Sequence, residues 1–292
     1  MSKSMDDDRE YWRQVLTAGG CTAIPRWAPE PQPGIAVHEQ PFPEDLVRRL
    51  DRWTAAVEVP LNAVLLAAHA KVLAALSGDQ EVTTGYLAGD GGPALPCRVS
   101  TAPETWYGLV QESARARAEL LSHANYPVPA LSAELGLGTA LFETELELSG
   151  NGGDLAESTV LRVVVVRRGE RMVLRLRYRS EVLDAESVVR VGGYHVAALV
   201  QLVADPGAVP VQGALLSVAE RGVQLEGLAG PCREVPDRRF HELFEERVRV
   251  EPGAVAVVWG EGWLSYGELN GWANRLGRAL VAEGLGREGV VG

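Results

Sequence analysis

The chain has 292 residues, 46% hydrophobic and 23% charged, with a net charge of −11. That is enough for one large or two ordinary domains with sizeable cores. Its acidity argues against nucleic-acid binding, which needs clustered Lys and Arg to neutralise phosphates. Cys21, Cys97 and Cys232 are odd in number and far apart. They give neither a disulfide framework nor metal-ligand spacing, and fit a reducing cytoplasm. The opening MSKSMDDDRE has no apolar stretch for a signal peptide. The most apolar run, Pro60 to Leu76, is short of a membrane span and holds Asn62, His69 and Lys71. The expectation is a soluble cytoplasmic protein with no nucleic-acid or membrane partner.

In chain order, residues 7–17 predict a short amphipathic helix with acidic residues in its first turn. The Pro-rich IPRWAPEPQPG cannot hold a regular ladder and is expected to run extended over the surface. A strand around Ile35–Glu39 and a helix near Glu44–Ala56 follow. LNAVLLAAHAKVLAALSG is apolar nearly all round and ends in Ser77-Gly78, the pattern of a buried helix with a glycine C-cap. EVTTGYL (81–87) reads as a strand, and residues 104–122 as a second helix. Residues 158–168 and 171–179 read as an antiparallel pair turning at Gly169-Glu170. Met172, Leu174, Leu176 and Tyr178 lie on one face, and Val173, Arg175, Arg177 and Arg179 on the other. A long helix is expected to start from Asp184 as N-cap and stop before Asp205-Pro206. From 207 to 236 periodicity fades. A helix over 237–249, a hairpin AVAVVWGEGWLSY and a helix to Gly284, capped by Ser265 and Glu268, make a second unit. The organisation expected is 1–217, a linker 218–236, and 237–292.

FHELFEERVRVEPGAVAVVWGEGWLSYGELNGWANRLGRALVAEGLG resembles the start of an adenylation domain of nonribosomal peptide synthetases. Within it LSYGELN, with Tyr266 and Glu268, is similar to that family's Leu-Thr-Tyr-x-Glu-Leu motif. Residues about 8–220 resemble the C-terminal half of a condensation domain. REYWRQVL looks like its Tyr-Trp helix. VPLNAVLLAAHAKVLAALSGDQEVTTGYLAGD is similar to its buried helix and strand. SHANYPVPAL matches a His-Gln-Asp-Tyr-Pro-Phe-Glu stretch at His123, Tyr126 and Pro127, TALFETELEL resembles the strand after it, and LLSVAERGVQLEGLAG looks like the exit toward adenylation. The resemblance implies an α/β fold: the C-terminal lobe of a chloramphenicol-acetyltransferase-like architecture, plus a small α/β piece of an acyl-CoA-synthetase-like adenylation domain.

The departures carry the functional expectation. Condensation domains use a His-His-x-x-x-Asp-Gly motif, and this chain contains no His-His pair. GGPALPCRVS stands where the family has a Gly-Phe-Val-Asn-Thr stretch, and Val128 where an aromatic is expected. No glycine-rich phosphate loop or assignable magnesium carboxylate is found, so no cofactor is expected in this segment; ATP, magnesium and carrier-bound phosphopantetheine would belong to the parent synthetase. His69 and His195 sit in apolar helices and are expected to be core histidines, and His241 structural. No serine lies in a Gly-x-Ser-x-Gly context, and scattered histidines and cysteines suggest no metal site. The arginine row Arg171, Arg175, Arg177 and Arg179, with Arg167 and Arg168, is either a solvated sheet face or a docking strip for an acidic partner such as a carrier domain.

The expectation is thus a lobe without turnover of its own, a platform or recruitment surface in a synthetase whose parent would adenylate an amino acid. Its partners would be the adenylation and carrier domains, a tailoring enzyme or a small activator protein, with self-association through an exposed lobe junction as a further route. Two alternatives remain: half of a split acyltransferase completed in trans, or a part of an amino-acid-activating ligase. The Met1 start and the stop at GVVG lead to the expectation that the half-length condensation region is natural and that the adenylation part was cut for study.

Overall fold

A computed structural model describes residues 5–87, 92–138, 140–148, 153–211, 215–231, 234 and 237–286. The chain divides into two compact units, Met1–Leu228 and Ala229–Gly292. Cys232 and the closing GVVG lie outside the described residues.

The first unit runs α1 (Met5–Thr17), β1 (Ile35–Pro41), α2 (Glu44–Val57), α3 (Leu61–Ser77), β2 (Glu81–Leu87), β3 (Leu95–Ser100), α4 (Trp106–Ser122), α5 (Val128–Glu134), β4 (Thr144–Glu147), β5 (Leu161–Arg168), β6 (Arg171–Arg179), α6 (Ala185–Ala204) and α7 (Val218–Gly222). Its strands form a six-stranded sheet in the order β1-β6-β5-β4-β2-β3. The β2/β4 and β4/β5 pairs are parallel and the other pairs antiparallel. Period-2 alternation sorts the side chains: Met172, Leu174, Leu176 and Tyr178 of β6 are buried, while Val173, Arg175, Arg177 and Arg179 are half-buried on the other face.

Helix α3 is the centre of the core. It is apolar all round, so no face prefers water, and residues 63–74 are buried without a break. Pro60 precedes it, and Gly78 ends it in a left-handed conformation with its N–H on Ala74 O. Helix α6 is capped by Asp184, whose side chain accepts from the Ser187 N–H. Gly192 lets α6 approach the sheet; a Cβ there would stand 3.4 Å from both Leu176 and Gln40. The length and apolarity of α6 would suffice for a membrane span, but half of its apolar window is buried, as in a core helix.

The Pro-rich segment is extended, as expected, yet it is pinned rather than loose. Thr22 and Ile24 are buried. Thr22 accepts from the Thr83 N–H at 2.8 Å, Arg26 pairs with Glu143 at 2.7 Å, and Trp27 and Ala28 donate backbone N–H groups to Val182 O. The strap thus ties the ends of β2, β4 and β6. Periodicity did not separate β3 or α5, and the stretch from 218 taken as linker begins with α7, capped by Ser217 and Glu220, then a π turn over Val223–Gly227.

The second unit comprises α8 (Phe240–Val250), β7 (Val255–Trp259), β8 (Gly262–Ser265) and α9 (Tyr266–Ala282). β7 and β8 form an antiparallel hairpin turning at Gly260-Glu261. Ser265 accepts from the Glu268 N–H while the Glu268 carboxylate accepts from the Ser265 N–H, completing the expected capping box.

Candidate interaction face and the closed histidines

His69 on α3 is 0% exposed and His195 on α6 is 4% exposed. Their rings stack at 5.4 Å between centroids. His195 Nδ1 lies 2.8 Å from Val191 O and must donate, because a carbonyl only accepts. Its Nε2 is then the acceptor facing His69 Nδ1 at 3.1 Å, so His69 Nδ1 donates. His69 Nε2 is left as an acceptor for the Thr84 hydroxyl at 3.1 Å, whose one proton it shares with Thr144 O at 3.0 Å and whose oxygen accepts from Thr144 Oγ1 at 3.2 Å. Every member is satisfied in the neutral form. Burial holds the His69 pKa well below its ordinary value, helped by the neighbouring His195, and pushes His195 down to about 4. This chain spans α6, α3, β2 and β4 and has no open end facing solvent.

His123, the second residue of the motif-like SHANYPVPAL, is a clamp for the N-terminal helix. Its Nδ1 lies 2.6 Å from Asp8 Oδ1, Tyr11 stacks on its ring at 4.1 Å, and its carbonyl accepts from Trp12 Nε1 at 2.9 Å. Arg9 reaches from the same helix to Glu134. Tyr126 N donates to His123 O, and Pro127 is the N-cap of α5, where its fixed φ suits a helix entrance. The three residues shape one corner, and His123 holds α1 there. His241 is exposed on α8, and His38 Nε2 is buried under α6.

The arginine face is present, but the charges of Arg167, Arg175, Arg177 and Arg179 are occupied. Arg175 pairs with Glu39 across the β1/β6 register at 2.8 Å. Arg177 donates to Gly153 O and lies 3.7 Å from Asp154. Arg179 donates to Thr159 O and Ala156 O at 2.9 Å each. Arg167 binds Asp51 through two contacts of 2.8 and 2.7 Å. The hairpin residues Arg168 and Arg171 are exposed. Beside this row is an ion pair that pattern reading missed: Arg162 on β5 donates to Glu145 on β4, both nearly fully buried, and Thr159 Oγ1 caps the other Glu145 oxygen at 2.6 Å. The signal was the alternation of TELE, which puts Glu145 and Glu147 on the face opposite Leu146.

The N-terminus of α9 is filled by the Glu268 carboxylate, 2.9 Å from the Ser265 N–H, and that of α8 by Glu242, 2.8 Å from the Arg239 N–H. At the hairpin turn the Trp259 ring lies over Gly262, 2.8 Å from where a Cβ would be. Among the described residues no cluster of three or more His, Cys, Asp or Glu side chains could hold a metal ion.

No protein-family model matches the chain. It is 26% identical over 282 residues to tyrocidine synthase 3 of Brevibacillus parabrevis, covering 85% of this chain and 4% of that protein. A solved nonribosomal peptide synthetase, FmoA3, superposes with a TM-score of 0.71 at 18% identity, over 96% of this chain and 34% of that one. The first condensation domain of the calcium-dependent antibiotic synthetase, solved with a substrate analogue, gives 0.55 at 21% identity, over 70% of this chain and 52% of that one. The homologues of this chain are nonribosomal peptide synthetases, and its mixed α/β fold is that of their condensation-domain and adenylation-containing structures. The chain spans a small part of such relatives, 4% of the length of tyrocidine synthase 3.

Proposed function

We propose that the first unit is a non-catalytic, condensation-like lobe of a nonribosomal peptide synthetase, serving as a platform beside an adenylation domain that the second unit begins. The observation that carries this reading is the closed His195–His69–Thr84–Thr144 chain: its imidazoles are neutral, buried and committed to one another. A general base needs hydrogen-bond reach to a substrate proton and a pKa near the working pH. Neither His69 nor His195 meets either condition, and the His123 ring is held between Asp8 and Tyr11.

The partners in this reading are the adenylation and carrier domains of the same synthetase, which would supply ATP, magnesium and phosphopantetheine chemistry. The arginine face supports structure first, with Arg171 the member of the original row left exposed. The test is a turnover assay with the full chain and two carrier-bound aminoacyl groups. No dipeptide above the uncatalysed rate is expected. Dipeptide formation by the chain alone overturns the reading, and formation only after adding a front-half condensation protein points instead to a lobe completed in trans.

A further inference from the structure

A cavity of about 320 Å³ lies between the start of β3, helix α5 and Phe142. Its walls are preformed. Pro93, Pro96, Pro127 and Pro129 line it, and each has a fixed φ that leaves little to order on binding. Phe142 is seated over Gly85, where an added Cβ would fall 2.4 Å from the ring, so the glycine keeps this wall in place. The size falls within the range of small-molecule sites, which are mostly apolar with a few placed polar groups.

The polar group here is Ser132. It is 5% exposed, lines the cavity, and its Oγ has no hydrogen-bond partner. A serine in a helix ordinarily turns its hydroxyl to the carbonyl four residues back, and a buried hydroxyl left unpaired costs about 1–3 kcal/mol. Among the described residues no Asp, Glu, Lys, Arg or His lines the walls. An ionised ligand would therefore lose its hydration with nothing to replace it.

We propose that this cavity binds a neutral, largely apolar small molecule bearing one carbonyl or amide group, which accepts a hydrogen bond from Ser132 Oγ. The site is independent of the closed histidines and of the arginine face, and it stands whether or not the lobe is catalytic. The probes are N-benzylacetamide, propylbenzene and 3-phenylpropanoate, titrated into the isotope-labelled full chain and followed by NMR.

Saturable shifts confined to α5 and the start of β3 are expected for the first two probes and not for the carboxylate. Ser132→Ala should weaken N-benzylacetamide about two- to tenfold, the worth of one hydrogen bond, and leave propylbenzene unchanged. Ala133→Trp, at an exposed position on the cavity wall, should abolish both while the unfolding midpoint is retained. The proposal is overturned if neither neutral probe saturates, if the carboxylate binds as well as the amide, or if Ser132→Ala changes both neutral probes alike. An apolar peptide that binds there more tightly than N-benzylacetamide also overturns it.

Discussion

The two units use similar amphipathic segments and end in opposite states. In the first, α1 buries Trp12 completely, and α3, α4 and α6 close over one face of the sheet. In the second, neither α8 nor α9 has a buried residue; Phe240 is 84% exposed and Trp272 57%. Local rules for both units are met: caps, hairpin turns and alternation are all in place. What differs is whether the apolar faces are covered. Local signals set the elements, while burial of apolar area supplies most of the stability, and contiguous exposed apolar surface marks a place where something else packs.

That comparison is most sharply broken by tryptophan. Trp12→Ala should cost about 3–5 kcal/mol by leaving a cavity and removing the indole hydrogen bond to the His123 carbonyl. Trp272→Ala should stay within about 0.5 kcal/mol, as at other exposed positions. Denaturant unfolding of the full chain distinguishes them, and equal costs would contradict the division into a covered and an uncovered unit.

Acid sharpens it next. The folded-state pKa of His195 is depressed to about 4 and that of His69 lies well below 6.5, so between pH 6.5 and 4 the unfolded chain binds more protons. Their contribution is fully present above pH 6.5 and is lost as pH falls, at about 1.4 kcal/mol per unit per imidazole, on the order of 3 kcal/mol for His195. Urea midpoints of the first unit should fall between pH 6.5 and 5; a flat profile would count against a neutral pair. Glycine gives the smaller effects. Gly85→Ala must displace the Phe142 ring, at about 1–3 kcal/mol, whereas Gly277→Ala in α9 meets nothing within 4 Å and should stabilise that helix by up to about 1 kcal/mol. Hydrogen exchange resolved by segment reads both.

Much of the fold was legible because its signals are short-range. The glycine cap of α3, the Asp184 cap of α6 and the Gly169 turn are each written within a few residues. The site was less legible because its partners are far apart in the chain. His69 and His195 are 126 positions apart, and Arg175 and Glu39 are 136. Periodicity placed each residue on a face, but the sheet order that joins those faces is a long-range property. The arginine alternation was visible; the acids and carbonyls that occupy it were not. β3 and α5 escaped because Pro96, Pro127 and Pro129 break the patterns by which strands and helices are recognised.

The central claim is that the deepest imidazoles of this lobe are structural and unavailable for proton transfer. Histidine-selective nitrogen NMR across pH 5.5 to 8 tests it directly. The account predicts that His69 and His195 both stay neutral with the proton on Nδ1 and show no titration in that range. A midpoint near 6.5 for either ring, or a proton on His195 Nε2, would contradict it.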